Sequence, residues 1–203
     1  MSSTFHSSKS SVLLIDDMAR EACFRKALQD SSYTITHTTQ QSISLLKAVE
    51  RQEPDIILID TKRPTRETIS SLNTLANFNP KPVVIFTEQE QPELMRESIQ
   101  AGVSAFVAGE TSPGRTKYIL DVAMVRFAKF QQLKNELLSA KQQLESRKWI
   151  DQAKALLIEQ QNMTEQQAYS SIRKVAMDNG QKMEDVAKNL IAMMQLMNGG
   201  ASE

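Results

Sequence analysis

From residue 12 to residue 110 the chain alternates short apolar runs with longer amphipathic ones, the pattern of a parallel sheet covered by helices. The runs are Val12-Leu13-Leu14-Ile15, Tyr33-Thr34-Ile35-Thr36, Ile56-Ile57-Leu58-Ile59, Val83-Val84-Ile85-Phe86 and Ala105-Phe106-Val107, so five strands are expected. The first, third and fourth are almost wholly aliphatic, as strands buried on both faces must be. The second alternates like an edge strand. Strands one, three and four therefore belong at the centre of the sheet.

After Thr111-Ser112-Pro113-Gly114 the texture changes. No Pro or Gly occurs from Arg115 to Asn179, and nothing in that run stops a helix. Phe130, Leu133, Leu137, Ala140 and Leu144 fall at spacings of three, four, three and four, a heptad seam with polar residues between. Such a seam reads as a coiled coil that pairs two chains, or as one amphipathic helix folded back on the first domain. The last fifty residues divide into three helices. The first covers about Trp149 to Gln160, and Thr164 with Gln167 makes a capping box for the second. The second carries Ala168, Ile172, Val175 and Ala176 on one face and stops at Asn179-Gly180. The third repeats the pattern with Val186, Ala187, Leu190, Ile191 and Met194. The organisation expected is a disordered N-terminus at 1–10, an α/β domain at 11–125, a coiled-coil linker at 126–146 and a three-helix all-α domain at 147–198.

Charge refines this picture only locally. The 203 residues hold 24 basic and 24 acidic side chains, so the chain is not coated in cations as many nucleic-acid binders are. Up to residue 125 there are 13 basic and 15 acidic residues, and beyond it 11 and 9. A polyanion site is therefore local and belongs to the C-terminal part. The single cysteine, Cys23, cannot form an internal disulfide, and no run approaches the ~18 apolar residues of a membrane span. Together with a polar N-terminus lacking a signal-peptide core, these features predict a cytoplasmic protein with no membrane partner.

Candidate chemistry lies in two places. Asp16 and Asp17 close the first strand and Asp60 the third. In a sheet of order 2-1-3-4-5 these strands are neighbours, so the carboxylates converge at the C-terminal edge, where such folds bind ligands. Converging carboxylates call for a cation. Mg²⁺ fits, because it takes hard oxygen ligands and keeps waters that a phosphoryl group can replace, and an ionised aspartate can then attack phosphorus. The other reading is an inherited set of carboxylates without present chemistry. In the C-terminal part Arg147, Lys148, Lys154, Arg173 and Lys174 accompany Trp149 and Tyr169. That pairing of cations and flat rings suits RNA loops, although aromatics at helical spacing are also ordinary core residues.

Asp16-Asp17, Asp60 with Pro64 four residues on, Thr87 ending the fourth run, and Ala101-Gly102 before Phe106 resemble two-component receiver domains over about residues 10 to 125. The resemblance implies a flavodoxin-like fold with Asp60 as phosphoacceptor, Asp16, Asp17 and Asp60 around Mg²⁺, and Thr87 and Phe106 as switch residues, addressed by a histidine kinase. The sequence departs from that pattern after the fifth strand, where receivers carry a lysine and this chain has Gly109 followed by Glu110. Loss of that cation removes a charge-assisted contact worth roughly 1.5 to 3 kcal/mol. Lys62 or Arg63 is the candidate to replace it.

The order Arg147-Lys148-Trp149-Ile150-Asp151-Gln152-Ala153-Lys154-Ala155-Leu156-Leu157-Ile158, then Met163 to Tyr169, Ile172 to Met177 and Val186-Ala187 resembles the ANTAR domain, the RNA-binding module of AmiR and NasR type antiterminators. Ala155 and Ile158 stand where that family usually has glycine and methionine. Asp60 to Thr68, Val83 to Thr87, Ala101 to Val107 and Ala123 to Phe127 are similar to the NasT-like nitrate-response antiterminators. These resemblances imply a homodimer that binds paired stem-loops in leader mRNA and is held by an inhibitory, ligand-sensing partner protein of the NasS type. Arg147, Lys148, Lys154, Arg173 and Lys174 would contact RNA, and Ala153 would allow close approach of the helix. The rival classes are a DNA-binding response regulator and a scaffold with a helical dimerisation tail. An enzyme is not expected, since there is no glycine-rich nucleotide loop and no Cys/His metal spacing. A third helix opening on Gln181, Lys182, Met183, Glu184 and Asp185 is poor for approaching a DNA backbone.

Overall fold

The computed structural model describes residues 9–40, 44–109 and 113–199. The expected disorder of the N-terminus, apart from Lys9 and Ser10, and the place of Glu110 lie outside the described residues, as do Thr111 and Ser112 of the turn expected at Thr111-Ser112-Pro113-Gly114, whereas Pro113 and Gly114 open a helix. The chain divides into two compact units between Gln131 and Gln132.

The first unit contains β1 (Ser10–Asp16), α1 (Glu21–Ala27), β2 (Tyr33–Thr39), α2 (Leu45–Gln52), β3 (Ile56–Thr61), α3 (Arg66–Phe78), β4 (Val83–Thr87), α4 (Pro92–Gln100) and β5 (Ala105–Ala108). All neighbouring strands pair in parallel and their order is β2-β1-β3-β4-β5, as the sequence pattern predicts. Because side chains on a strand alternate between faces, the aliphatic runs supply two cores at once. Val12, Leu14, Ile56, Leu58, Val84 and Phe86 face one side with Phe24 and Leu28. Leu13, Ile15, Ile57, Ile59, Val83 and Ile85 face the other with Leu45, Val49, Leu72 and Leu75. Full burial of each such side chain is worth about 1.5–3 kcal/mol, which outweighs any weak local preference along these short runs. The edge strand β2 buries only Tyr33 and Ile35 while Thr34 and Thr36 stay exposed. The Tyr33 hydroxyl donates to Asp121 Oδ1 at 2.8 Å; burial first, and then this bond, raises the phenol's pKa.

The register of β1 and β3 sets Asp16 beside Asp60, and that of β3 and β4 sets Thr61 beside Thr87. The acidic residues thus reach one sheet edge through strand pairing alone.

Helix α5 runs without interruption from Pro113 to Gln161, 49 residues. Its Leu120 and Ala123 are fully buried against the sheet. The expected linker at 126–146 and the expected first helix of the last domain are parts of this one helix, because nothing between them breaks it.

In the second unit the end of α5 packs with α6 (Glu165–Asp178) and α7 (Met183–Gly199) around Ala153, Leu157, Ala168, Ile172, Ala176, Val186, Ala187, Ile191 and Met194. Ala153, Ala168 and Ala187 are wholly buried, and their small side chains let the helices come close. Thr164 and Gln167 form the full capping box at the start of α6. At its end Gly180, with φ +61°, lets Gln181 N–H donate to the carbonyl of Ala176 at 2.9 Å and its own N–H donate to that of Met177. This is a Schellman stop, and a left-handed residue is needed for it. Val175, expected on the apolar face, is instead 44% exposed. The stripe at 168, 172 and 176 already fills the core, and Val175 lies to its side.

Candidate functional site

At the sheet edge Asp60 is completely buried, and both of its oxygens are taken by one side chain. Arg20, in the loop between β1 and α1, donates from Nε to Oδ2 at 2.8 Å and from Nη2 to Oδ1. This is the two-point fork in which a guanidinium holds a carboxylate most strongly. The bond to Asp60, ahead of other influences, raises the Arg20 pKa further above its usual value. Removing Arg20 would leave a buried carboxylate uncompensated. Breaking a fully buried pair that way costs roughly 3–5 kcal/mol, and less here because solvent reaches about a third of Arg20.

Asp16 shapes the loop that presents Arg20. Its Oδ1 accepts from Met18 N–H at 3.1 Å and Arg20 N–H at 3.0 Å, and its Oδ2 accepts from Glu21 N–H at 2.7 Å. The carboxylate thereby satisfies donors at the start of α1 that have no partner within the helix. Asp17 is exposed, and its backbone N–H donates to the carbonyl of Asp60 at 2.9 Å.

Among the described residues no group of three or more carboxylate, His or Cys side chains is spaced to hold a metal ion. The set expected for Mg²⁺, Asp16, Asp17 and Asp60, is adjacent in the fold but does not stand as an open cage. One carboxylate caps a helix and another is forked by arginine. Residues placed this way do not fit the ion. The expectation that Lys62 or Arg63 supplies the missing charge is also corrected. Both are exposed on the loop after β3, and the cation that reaches Asp60 is Arg20. Sequence reasoning missed Arg20, because no spacing rule links it to Asp60, 40 residues away.

Thr87 is buried, and its hydroxyl donates to the carbonyl of Lys62 at 2.8 Å, tying β4 to the loop after β3. Phe106 is half-buried against the second core cluster. Gly109 takes φ +80°, a left-handed backbone that a lysine there would occupy only under strain, and its N–H donates to the carbonyl of Thr87 at 2.9 Å.

On the second unit Arg147, Lys148, Arg173 and Lys174 are exposed. Trp149 is 37% and Tyr169 43% exposed, so neither is the core residue that helical spacing allowed. The ammonium of Lys188, which also pairs with Glu184, lies 5.5 Å from the Trp149 ring centre. Two expected contact residues are placed differently. Ala153 is fully buried, so it serves the approach of helices to one another and cannot touch RNA. Lys154 is held between Asp151 at 2.8 Å and Glu165 at 2.9 Å. Its pKa is raised, mainly by Asp151, whose own is lowered by the same bond. Its charge is therefore already answered within the unit. A groove of about 840 Å³ beside it is lined by Arg147, Lys154, Tyr169 and Lys182 together with the carboxylates of Glu145, Asp151, Glu184 and Asp185. Lys182 was not among the residues expected to act.

The seam of α5 is open to solvent. Phe130 is 60%, Leu133 50%, Leu137 56% and Leu144 57% exposed, and Ala140 is exposed with them.

Comparison with known proteins agrees with this layout. Residues 12–121 match the response regulator receiver domain, and residues 139–191 match the ANTAR domain. The chain therefore belongs to the response regulator receiver family and carries an ANTAR domain at its C-terminal end. It is 28% identical over 181 residues to the transcriptional regulatory protein PdtaR of Mycobacterium tuberculosis, covering 87% of each chain. It is 39% identical over 80 residues to the nitrate regulatory protein of Klebsiella oxytoca, covering 39% of this chain and 20% of that protein. Its fold is like that of a CheY-like receiver domain protein from Methanospirillum hungatei, with TM-score 0.51, 20% identity, and coverage of 60% of this chain and 98% of that one. No described helix is long and apolar enough to cross a membrane.

Proposed function

We propose that this response regulator is a cytoplasmic transcription antiterminator and not an enzyme. Its helical domain binds paired stem-loops in leader mRNA, and a protein that senses a ligand controls it through the receiver. One observation carries the reading. The core of the C-terminal unit is complete without Arg147, Lys148, Trp149, Tyr169, Arg173 and Lys174, which leaves four cations and two aromatic faces at its surface. Cations answer phosphates and flat rings stack under splayed bases, the combination that reads RNA loops.

The exposed seam of α5 supports pairing of two chains. A homodimer presents two such surfaces, and two linked sites raise affinity by roughly 10²- to 10⁴-fold when both engage. Bound RNA then holds the leader in a form that excludes the terminator. The likeness to a nitrate regulatory protein supports a nitrate-sensing partner of the NasS type and leaders of nitrate and nitrite assimilation operons. The alternative of a DNA-binding regulator is disfavoured because the first turn of α7 carries Glu184 and Asp185.

A gel-shift titration of the full chain tests the binding. A two-stem-loop RNA is expected to bind tightly and a DNA duplex of equal length weakly, with Arg173→Ala and Lys174→Ala each weakening the RNA complex several-fold. Equal or tighter binding to DNA overturns the reading.

A further inference from the structure

The acidic edge departs from what its residue types promise, and the departure has a single source. Asp60 gives both oxygens to Arg20. Asp16 gives both of its oxygens to the backbone of the loop that carries Arg20, including the N–H of Arg20 itself. The two aspartates therefore act in series, one fixing the loop and the other receiving its guanidinium. On the far side of the edge, where a lysine would neutralise an incoming phosphoryl group, Gly109 supplies no side chain.

We propose that Arg20 is the resident cation of this receiver, replacing both the divalent metal and the lysine, so that the domain is complete without Mg²⁺ and Asp60 does not accept a phosphoryl group. Phosphoryl transfer would form a bond from an Asp60 oxygen to phosphorus while the donor's leaving group departs. The attacking oxygen would first have to give up its N–H partner. It would also need new cations to take up charge on the transferred oxygens, and Arg20, the cation in place, is bonded to the nucleophile itself. A metal entering the same space would have to displace Arg20 from Asp60 and unseat Asp16 from the start of α1. Signal then reaches the receiver by contact of a partner with its surface and not through a covalent mark.

The 203-residue chain is melted in EDTA and in millimolar Mg²⁺, as wild type and as Arg20→Ala. Each is also incubated with acetyl phosphate and Mg²⁺ and weighed by intact mass spectrometry. The wild-type melting temperature is expected to be the same in EDTA and Mg²⁺, and its mass unchanged by acetyl phosphate. Arg20→Ala is expected to melt several degrees lower in EDTA and to recover part of that loss in Mg²⁺, because the vacated edge then offers the metal its carboxylates. Should that variant fail to fold, Arg20→Gln takes its place, and calorimetric titration of the wild type with Mg²⁺ alone still decides. Saturable Mg²⁺ binding by the wild type, or a gain of one phosphoryl group with Arg20 intact, overturns the proposal. Neither readout involves RNA, so the inference and the RNA reading fail separately.

Discussion

Replacing Leu133 and Leu137 together with aspartate is expected to weaken binding to a two-stem-loop RNA by roughly 10²- to 10⁴-fold while leaving the affinity for one isolated stem-loop unchanged. The effect follows from where these residues stand. Both are at least half exposed in the single chain, so the change removes nothing from its fold. In a paired helix the same positions form the seam, each leucine adding about 1.5–3 kcal/mol by burial, and an aspartate there would bring an unpaired charge out of water. Both leucines lie at the start of the C-terminal unit but outside its core, which is built from Ala153 onward and is kept. Sedimentation of the double variant should show a monomer at concentrations where the wild type is dimeric. Loss of affinity for the single stem-loop would instead place these leucines in the RNA-binding surface itself.

Ile172→Ala should unfold the C-terminal unit ahead of the receiver. Ile172 is 1% exposed, in the middle of α6, between Ala168 and Ala176 on the face that meets α5 and α7. Truncating such a residue costs about 2–5 kcal/mol, the higher figures where neighbours cannot collapse into the space. A core of this size is small, and that cost is a large part of the stability such a unit has. Trp149, the chain's single tryptophan, lies in this unit and reports on it alone. Its fluorescence transition in urea is expected to shift to lower denaturant, and circular dichroism, which follows both units, is expected to split into that transition and a second one at the receiver's unchanged midpoint. Paired-RNA binding should fall with the fluorescence transition. A single shared transition would contradict the independence of the two units.

Much of the architecture was legible in the sequence because burial leaves few choices. Runs such as Ile56-Ile57-Leu58-Ile59 have no polar face and read as central strands, while the order that makes Asp16 and Asp60 neighbours came with the doubly wound fold that the receiver resemblance implies. The absence of Pro and Gly showed that nothing stops a helix through 115–160, although the linker and the first helix of the last domain were expected as separate pieces; the limits of α6 were readable from Thr164, Gln167 and Gly180. Less legible were the partnerships made across loops. The fork of Arg20 on Asp60 depends on a turn in which Ala19 takes φ +55° and Asp16 gathers three N–H groups, and no spacing rule announces that. The pair Asp151–Lys154 was readable at i, i+3, but Glu165 reaches the same lysine from the next helix. Helical spacing allowed Trp149 to be a core residue, yet it remains partly in solvent while the neighbouring Ala153 is fully buried. A small residue is wanted where helices touch, and a large one fits at the rim.

The central claim, that binding changes the course of transcription, is tested most directly by transcribing a leader template bearing two stem-loops and a terminator in vitro and measuring the fraction of full-length transcript as the purified chain is added. The account predicts that read-through rises with protein concentration and returns to its basal level when either loop is altered. An unchanged fraction at protein concentrations that saturate the RNA would contradict it.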